Sequence, residues 1–177
     1  MRKAVFLRAI NVGTHNRIKM TDLRAVCEGA GFATVATYLQ SGNLLFEDGR
    51  DSETVAAVIE AALVERGLRN AAAIVRTLDE LDELLTSTAF EPYPDEEYTR
   101  FVTFFRHELP VAAAGLLRAD PATVLVRPRE VLSVLPVVRP PGVDINGGLE
   151  KRLKAQATTR YRHVVEEMAR LLRAERQ

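Results

Sequence analysis

Hydrophobic residues in this chain fall into short runs and helical stripes that follow one another in a regular order. Residues 4–10 (AVFLRAI) form an apolar run interrupted by Arg8, the pattern of a strand. A polar stretch from Asn11 to Lys19 follows. Leu23, Val26, Cys27 and Ala30 then recur at helical spacing behind Thr21, the expected N-cap, with Gly29 or Gly31 as the stop. Residues 33–39 (ATVATYL) alternate and are rich in β-branched side chains. Ser41-Gly42-Asn43 is a turn signal, and 44–47 (LLFE) is expected to return as the paired strand. Ser52 is expected to cap a helix that turns Val55, Val58, Ile59, Ala62 and Leu63 inward and stops at Gly67. Residues 72–76 (AAIVR) read as a fourth strand.

The order over residues 4–76 is therefore β-α-β-β-α-β, the split βαβ unit of ferredoxin-like domains. Right-handed crossovers place the third strand between the first and second, and the fourth on the other side of the first. The second half repeats this in part. Thr77-Leu78-Asp79-Glu80 reads as a capping box opening a helix to about Leu85. Pro92 and Pro94 mark the expected boundary between a lobe at 1–90 and a lobe at 91–177. Residues 98–106 (YTRFVTFFR) read as a strand, Pro110 opens a short helix ending near Leu117, and 122–127 and 130–135 read as a hairpin. After the break at Pro140-Pro141-Gly142, helices are expected at about 147–154 and 160–175, the latter with Val164, Val165, Met168, Leu171 and Leu172 inward. No clear final strand closes this half. The expected class is α+β: two ferredoxin-like lobes, each with helices packed on an antiparallel sheet.

Composition narrows the classes. With 177 residues, 47% of them hydrophobic, and 24 basic against 24 acidic side chains, the chain has neither the low hydrophobicity nor the net charge of a disordered protein. One Cys, 10 Gly and 8 Pro exclude disulfide-stapled and collagen-like classes. Zero net charge removes any global attraction to nucleic acid or an anionic membrane. No apolar run approaches the ~20 residues of a membrane helix. Met1-Arg2-Lys3 before AVFL has the order of a signal peptide, but Arg8 cuts the apolar stretch and no small-residue cleavage site follows, so a cytoplasmic protein is expected. Arginine supplies 20 of the 24 basic residues, a composition that fits coding bias as well as oxyanion recognition.

Two stretches carry a family resemblance. Residues 5–23 (VFLRAINVGTHNRIKMTDL) and 37–46 (TYLQSGNLLF), an R-x-I-N-V-G strand end paired with T-Y-x-Q-S-G-N, resemble the uncharacterised bacterial family called domain of unknown function 1697. Residues 157–160 (ATTR) fall where that family carries a similar segment. The resemblance implies an α+β fold with ferredoxin-like subdomains and no assigned activity. The chain departs from the family's usual pattern in Ala9 and Thr14, where glycines are usual. It departs again in Gly142-Val143-Asp144, in place of a Ser-Lys-Leu type segment, and in Tyr161-Arg162-His163, in place of an Asn-Trp-Asn type run.

Topology indicates where a site would sit. The first two strands run parallel, so the loop after the first and the hairpin after the second leave the sheet at one edge. That brings Asn11 and Gly13 beside Gln40, Ser41, Gly42 and Asn43, next to a helix N-terminus with its unsatisfied N–H groups. Arg8, Arg17 and Lys19 are near in sequence, and the resemblance adds Arg160 from the C-terminal segment. This set suits a phosphate or carboxylate. The same residues equally suit a structural role: the glycines supplying positive φ, the amides locking hairpin to loop. Neither glycine cluster has phosphate-loop or dinucleotide spacing, and no cofactor is expected.

Other candidates are thinner. His15, His107 and His163 lack metal spacing with one another or with Cys27, so no metal site is expected, and Cys27 reads as core. Ser41 with His15 lacks a nucleophile-elbow pattern, and no catalytic residue is assigned. Asp79, Glu80, Asp82 and Glu83 read as a solvated helical face. Lys151, Arg152, Lys154, Arg160 and Arg162 read as another, pairing in part with the acidic helix. The function expected is a binding module for a small anionic metabolite or nucleotide. Alternatives are an enzyme of unknown reaction and binding of RNA or single-stranded nucleic acid. For the last, Phe6 and Phe46 on the central strands are the sole aromatics and the RNA-recognition pattern is absent. The expected partner is a small molecule, with no membrane.

Overall fold

The computed structural model describes residues 1–12, 16–139 and 142–174. It contains two four-stranded antiparallel sheets, each in a compact unit. The first unit comprises residues 1–84 with the chain from Glu167 onward; the second comprises 85–166.

In the first unit β1 (Arg2–Arg8), α1 (Met20–Gly29), β2 (Ala36–Tyr38), β3 (Asn43–Glu47), α2 (Ser52–Glu65) and β4 (Ala72–Thr77) follow the expected order. The sheet runs β2-β3-β1-β4, all pairs antiparallel, as the right-handed crossovers require. Alternation along β1 sends Val5 and Leu7 into a core with Leu44, Phe46, Leu23, Cys27, Ile59 and Leu63. Ala4, Phe6, Leu45, Ile74 and Arg76, on the opposite face, are just as buried. Burial on both faces explains why the run AVFL is continuous rather than alternating.

Several boundaries shift from the sequence reading, each for a local reason. β1 starts at Arg2 because Lys3 can lie buried, its ammonium donating to the Asp48 carbonyl at 3.0 Å. β2 shrinks to three residues because Thr34 (φ 50°) and Leu39 (φ 57°) turn the chain left-handed at either side. α2 is capped by Asp51, not Ser52: its carboxylate accepts from the Thr54 N–H at 2.8 Å and the Thr54 hydroxyl at 2.6 Å. α1 opens at Met20, with Lys19 in the N-cap position and its side chain making no capping bond.

α3 (Leu78–Leu85) begins directly after β4, and the expected capping box forms: Glu80 accepts from the Thr77 N–H at 2.7 Å and Thr77 Oγ1 from the Glu80 N–H at 3.2 Å. In the second unit a single 3-10 turn at Thr88–Phe90 precedes β5 (Tyr98–Phe105), α4 (Ala113–Leu117), β6 (Thr123–Val126), β7 (Glu130–Pro136), α5 (Ile145–Leu153) and β8 (Ala157–Tyr161). The sheet order β6-β7-β5-β8 repeats that of the first unit. The final strand missing from the sequence reading is thus ATTRY, which pairs with β5 from Phe101 to Phe105. The helix expected from residue 160 starts later, as α6 (Arg162–Ala174), immediately after β8, just as α3 follows β4. Phe105, Val131 and Ala157 pack with Ala113 and Leu117 of α4 and Leu149 and Leu153 of α5. No helix among the described residues is long and apolar enough to cross a membrane.

Cys27 is fully buried, and desolvation, with a smaller contribution from the Glu28 carboxylate, pushes its thiol from 9.0 up to about 12. Above pH 9 the unfolded chain loses this proton while the folded chain keeps it, so the stability tied to the neutral thiol falls as pH rises through 9 to 12. The stability gap between the wild type and Cys27→Ala should therefore narrow over that range. Urea melts at several pH values test this, and a constant gap would count against it.

Candidate functional site

β3 lies between β1 and β2 and is antiparallel to both, so β1 and β2 point the same way and the segments after them meet. The contact is made by backbone and amides. The Leu7 N–H donates to the Gly42 carbonyl at 2.8 Å. Asn11, at φ 55°, donates from Nδ2 to the carbonyls of Ile18 (3.0 Å) and Gln40 (2.9 Å), while its Oδ1 accepts from the Ile18 N–H at 2.9 Å. The Asn11 N–H donates to the Asn16 carbonyl at 3.0 Å, and Asn16 Nδ2 reaches the Ala9 carbonyl at 3.0 Å and the Arg69 carbonyl at 2.6 Å. On the hairpin side, fully buried Asn43 donates to the Tyr38 carbonyl (2.9 Å) and Ser41 Oγ (3.0 Å). Gly42 sits at φ +75°, and a Cβ there would come within 2.9 Å of Leu7 Cβ. Asn11 and Gly42 thus bind the two segments together, while the Asn43 side chain braces the hairpin from within.

Above this junction lies an open groove of about 1120 Å³. Ile10, Val12, Ile18, Met20, Leu39 and Leu68 give it apolar walls. Leu39 is 51% exposed, although held in the left-handed region. Arg17, Lys19 and Arg66 are the cations of the lining, against Asp22 as the sole acid among the described residues. Met20, Thr21 and Asp22, the first turn of α1, form one end. Their N–H groups precede the first intrahelical bond, from Leu23 N–H to the Lys19 carbonyl at 2.9 Å, so they lack partners within the helix. The groove therefore combines apolar surface, a positive helix end and a cationic rim.

Of the expected site residues, Asn11, Lys19, Gln40 and Ser41 line this groove. Gly42 and Asn43 are not in the lining. Gly13, together with Thr14 and His15, lies outside the described residues. Arg8 ends β1 opposite Ala72 of β4 and is not in the lining. Arg160 belongs to β8 of the second unit. It is buried, it donates to Thr158 Oγ1 (2.7 Å) and the Thr159 carbonyl (2.9 Å), and desolvation lowers its guanidinium to about 10. Arg66 was not singled out by sequence: a basic residue closing a helix reads simply as a complement to the dipole.

The expected basic helical face does not form. Arg160 is on a strand, Lys154 ends α5 in the left-handed region (φ 51°), and Arg152 pairs with Asp120. The acidic helix is bridged instead by Arg173, which meets Asp82. No cluster of three metal-ligating residues occurs among the described residues.

A family model described as "Protein of unknown function (DUF1697)" matches residues 1–130. Among solved structures the chain is similar to the conserved bacterial protein SP0830 from Streptococcus pneumoniae, with a TM-score of 0.68 and 17% identity over 97% of this chain and 98% of that one. At that identity the likeness is one of fold. No curated protein matches the chain.

Proposed function

We propose, for a chain that belongs to the family DUF1697, that the groove of the first unit binds a small molecule bearing a phosphate or carboxylate. One observation carries this reading: a cavity of about 1120 Å³ whose lining joins Arg17, Lys19, Arg66 and the uncapped first turn of α1 to apolar walls. Oriented N–H groups and cations favour an oxyanion, and the walls favour a ligand with an apolar body. A nucleic-acid role draws no support from the sheet, since Phe6 and Phe46 are both fully buried and neither presents a face for base stacking.

The test is calorimetric titration with inorganic phosphate, adenosine monophosphate and a medium-chain carboxylate. At least one organic anion should bind more tightly than phosphate. The double variant Lys19→Gln/Arg66→Gln should weaken that binding by ~10-fold or more, and added salt should weaken the wild type. Absence of binding by the whole panel, or equal affinity in the double variant, would overturn the reading.

A further inference from the structure

The second unit holds a cavity of about 430 Å³ walled by the segment that precedes β5. We propose that it is a phosphoryl-binding site gripped by Arg100 and Arg162.

Arg100 projects from β5, a fixed position, and its side chain is only 18% exposed. Its Nε is buried and has no hydrogen-bond partner. A charged N–H left buried without an acceptor is rare in folded proteins, and it leaves the Arg100 guanidinium less fully satisfied than its pairing through the terminal nitrogen suggests. Its counter-ion is Asp95, whose side chain is 72% exposed. Arg162 opens α6, with its guanidinium 5.2 Å over the Phe90 ring and its Nε 2.9 Å from Glu166 Oε1. Stacking on Phe90 holds the plane of that fork.

The neighbourhood suits a tetrahedral dianion. Thr86, Ser87 and Thr88 line the same cavity and add hydroxyl donors, which a phosphoryl group with three acceptor oxygens can use together with two guanidinium forks. A second cavity of about 300 Å³, bordered by Tyr98, Tyr161 and His163, shares Asp95, Arg100 and Arg162 with the first. Asp95 therefore stands at the common wall, where a phosphoryl group would compete with it for Arg100. An exposed carboxylate in such a pair is held weakly and can swing into solvent. Glu91 and Glu96 also border the cavity, but both are exposed, so water screens them more than the sunken arginines.

The experiment is an NMR titration with inorganic phosphate of the full chain carrying Lys19→Gln/Arg66→Gln, which weakens the first groove. Saturable amide shifts are expected at residues 86–88. Asp95→Asn should tighten binding several-fold, whereas Arg100→Gln and Arg162→Gln should each weaken it by ~10-fold or more. Arg100→Lys, which keeps the charge and loses the fork, should fall between. No saturable shift at residues 86–88, or weaker binding in Asp95→Asn, overturns the proposal. The wild-type arginine background decides the first point even if an arginine variant fails to fold.

Discussion

Gly42→Ala should destabilise the protein by about 3–5 kcal/mol, from an alanine forced into the left-handed region and an overpacked contact. The conformational part follows from φ +75°. The steric part is unusual because the atom met is not a flexible side-chain end. Leu7 Cβ, 2.9 Å from the new methyl, is fixed to the backbone of β1, and Ile10 Cβ stands at 3.4 Å behind it. Relief requires moving the hairpin away from β1, which lengthens the Leu7 N–H to Gly42 carbonyl bond, 2.8 Å in the native structure. Gly31→Ala separates the two contributions. Its φ is +90°, but a Cβ there meets nothing within 4 Å, so it should lose only about 1 kcal/mol. Urea melts of both variants make the comparison. Equal losses would show that the approach to Leu7 does not matter.

This close approach also shows how far the sequence could be read. The order of elements was legible because each helix carries an inward stripe and each central strand a dense apolar run. Given that order, handedness left one arrangement of the first sheet, and the meeting of the Asn11 loop with the 40–43 hairpin followed from strand direction alone. The strand at Ala157–Tyr161 was not legible. ATTRY is short, contains Arg160, and runs into α6 without a turn residue, so nothing punctuates it. Its burial depends on β5, which is distant in sequence. The groove was legible as a place but not as a lining, because Arg66 and Leu68 reach it from the far end of α2. Ala9 is instructive in another way. It adopts φ 59°, a region that glycine enters without cost and alanine does not, so a position where the resemblance has glycine here carries backbone strain.

Asn11→Ala should lower stability by about 2–3 kcal/mol, because three hydrogen bonds of ~1 kcal/mol each are lost in a partly exposed setting and alanine fits φ 55° less well than asparagine. Asn11→Asp is the more telling variant. It keeps the size and the oxygen that accepts from the Ile18 N–H, but it sets a second, ionised oxygen against the carbonyls of Ile18 and Gln40, which accept from Nδ2 in the native protein. One carboxylate oxygen facing two carbonyl acceptors disfavours the ionised form, so the folded-state pKa of that aspartate rises above its unfolded value. The folded chain then holds the proton more tightly, and the penalty is present at neutral pH and relieved as pH falls through the raised folded pKa. Near pH 7 Asn11→Asp should be at least as unstable as Asn11→Ala; toward pH 4 it should become the more stable of the two. Denaturant melts at both pH values decide the matter. A pH-independent ranking would mean that the amide donors of Asn11 do not hold the loop to the hairpin.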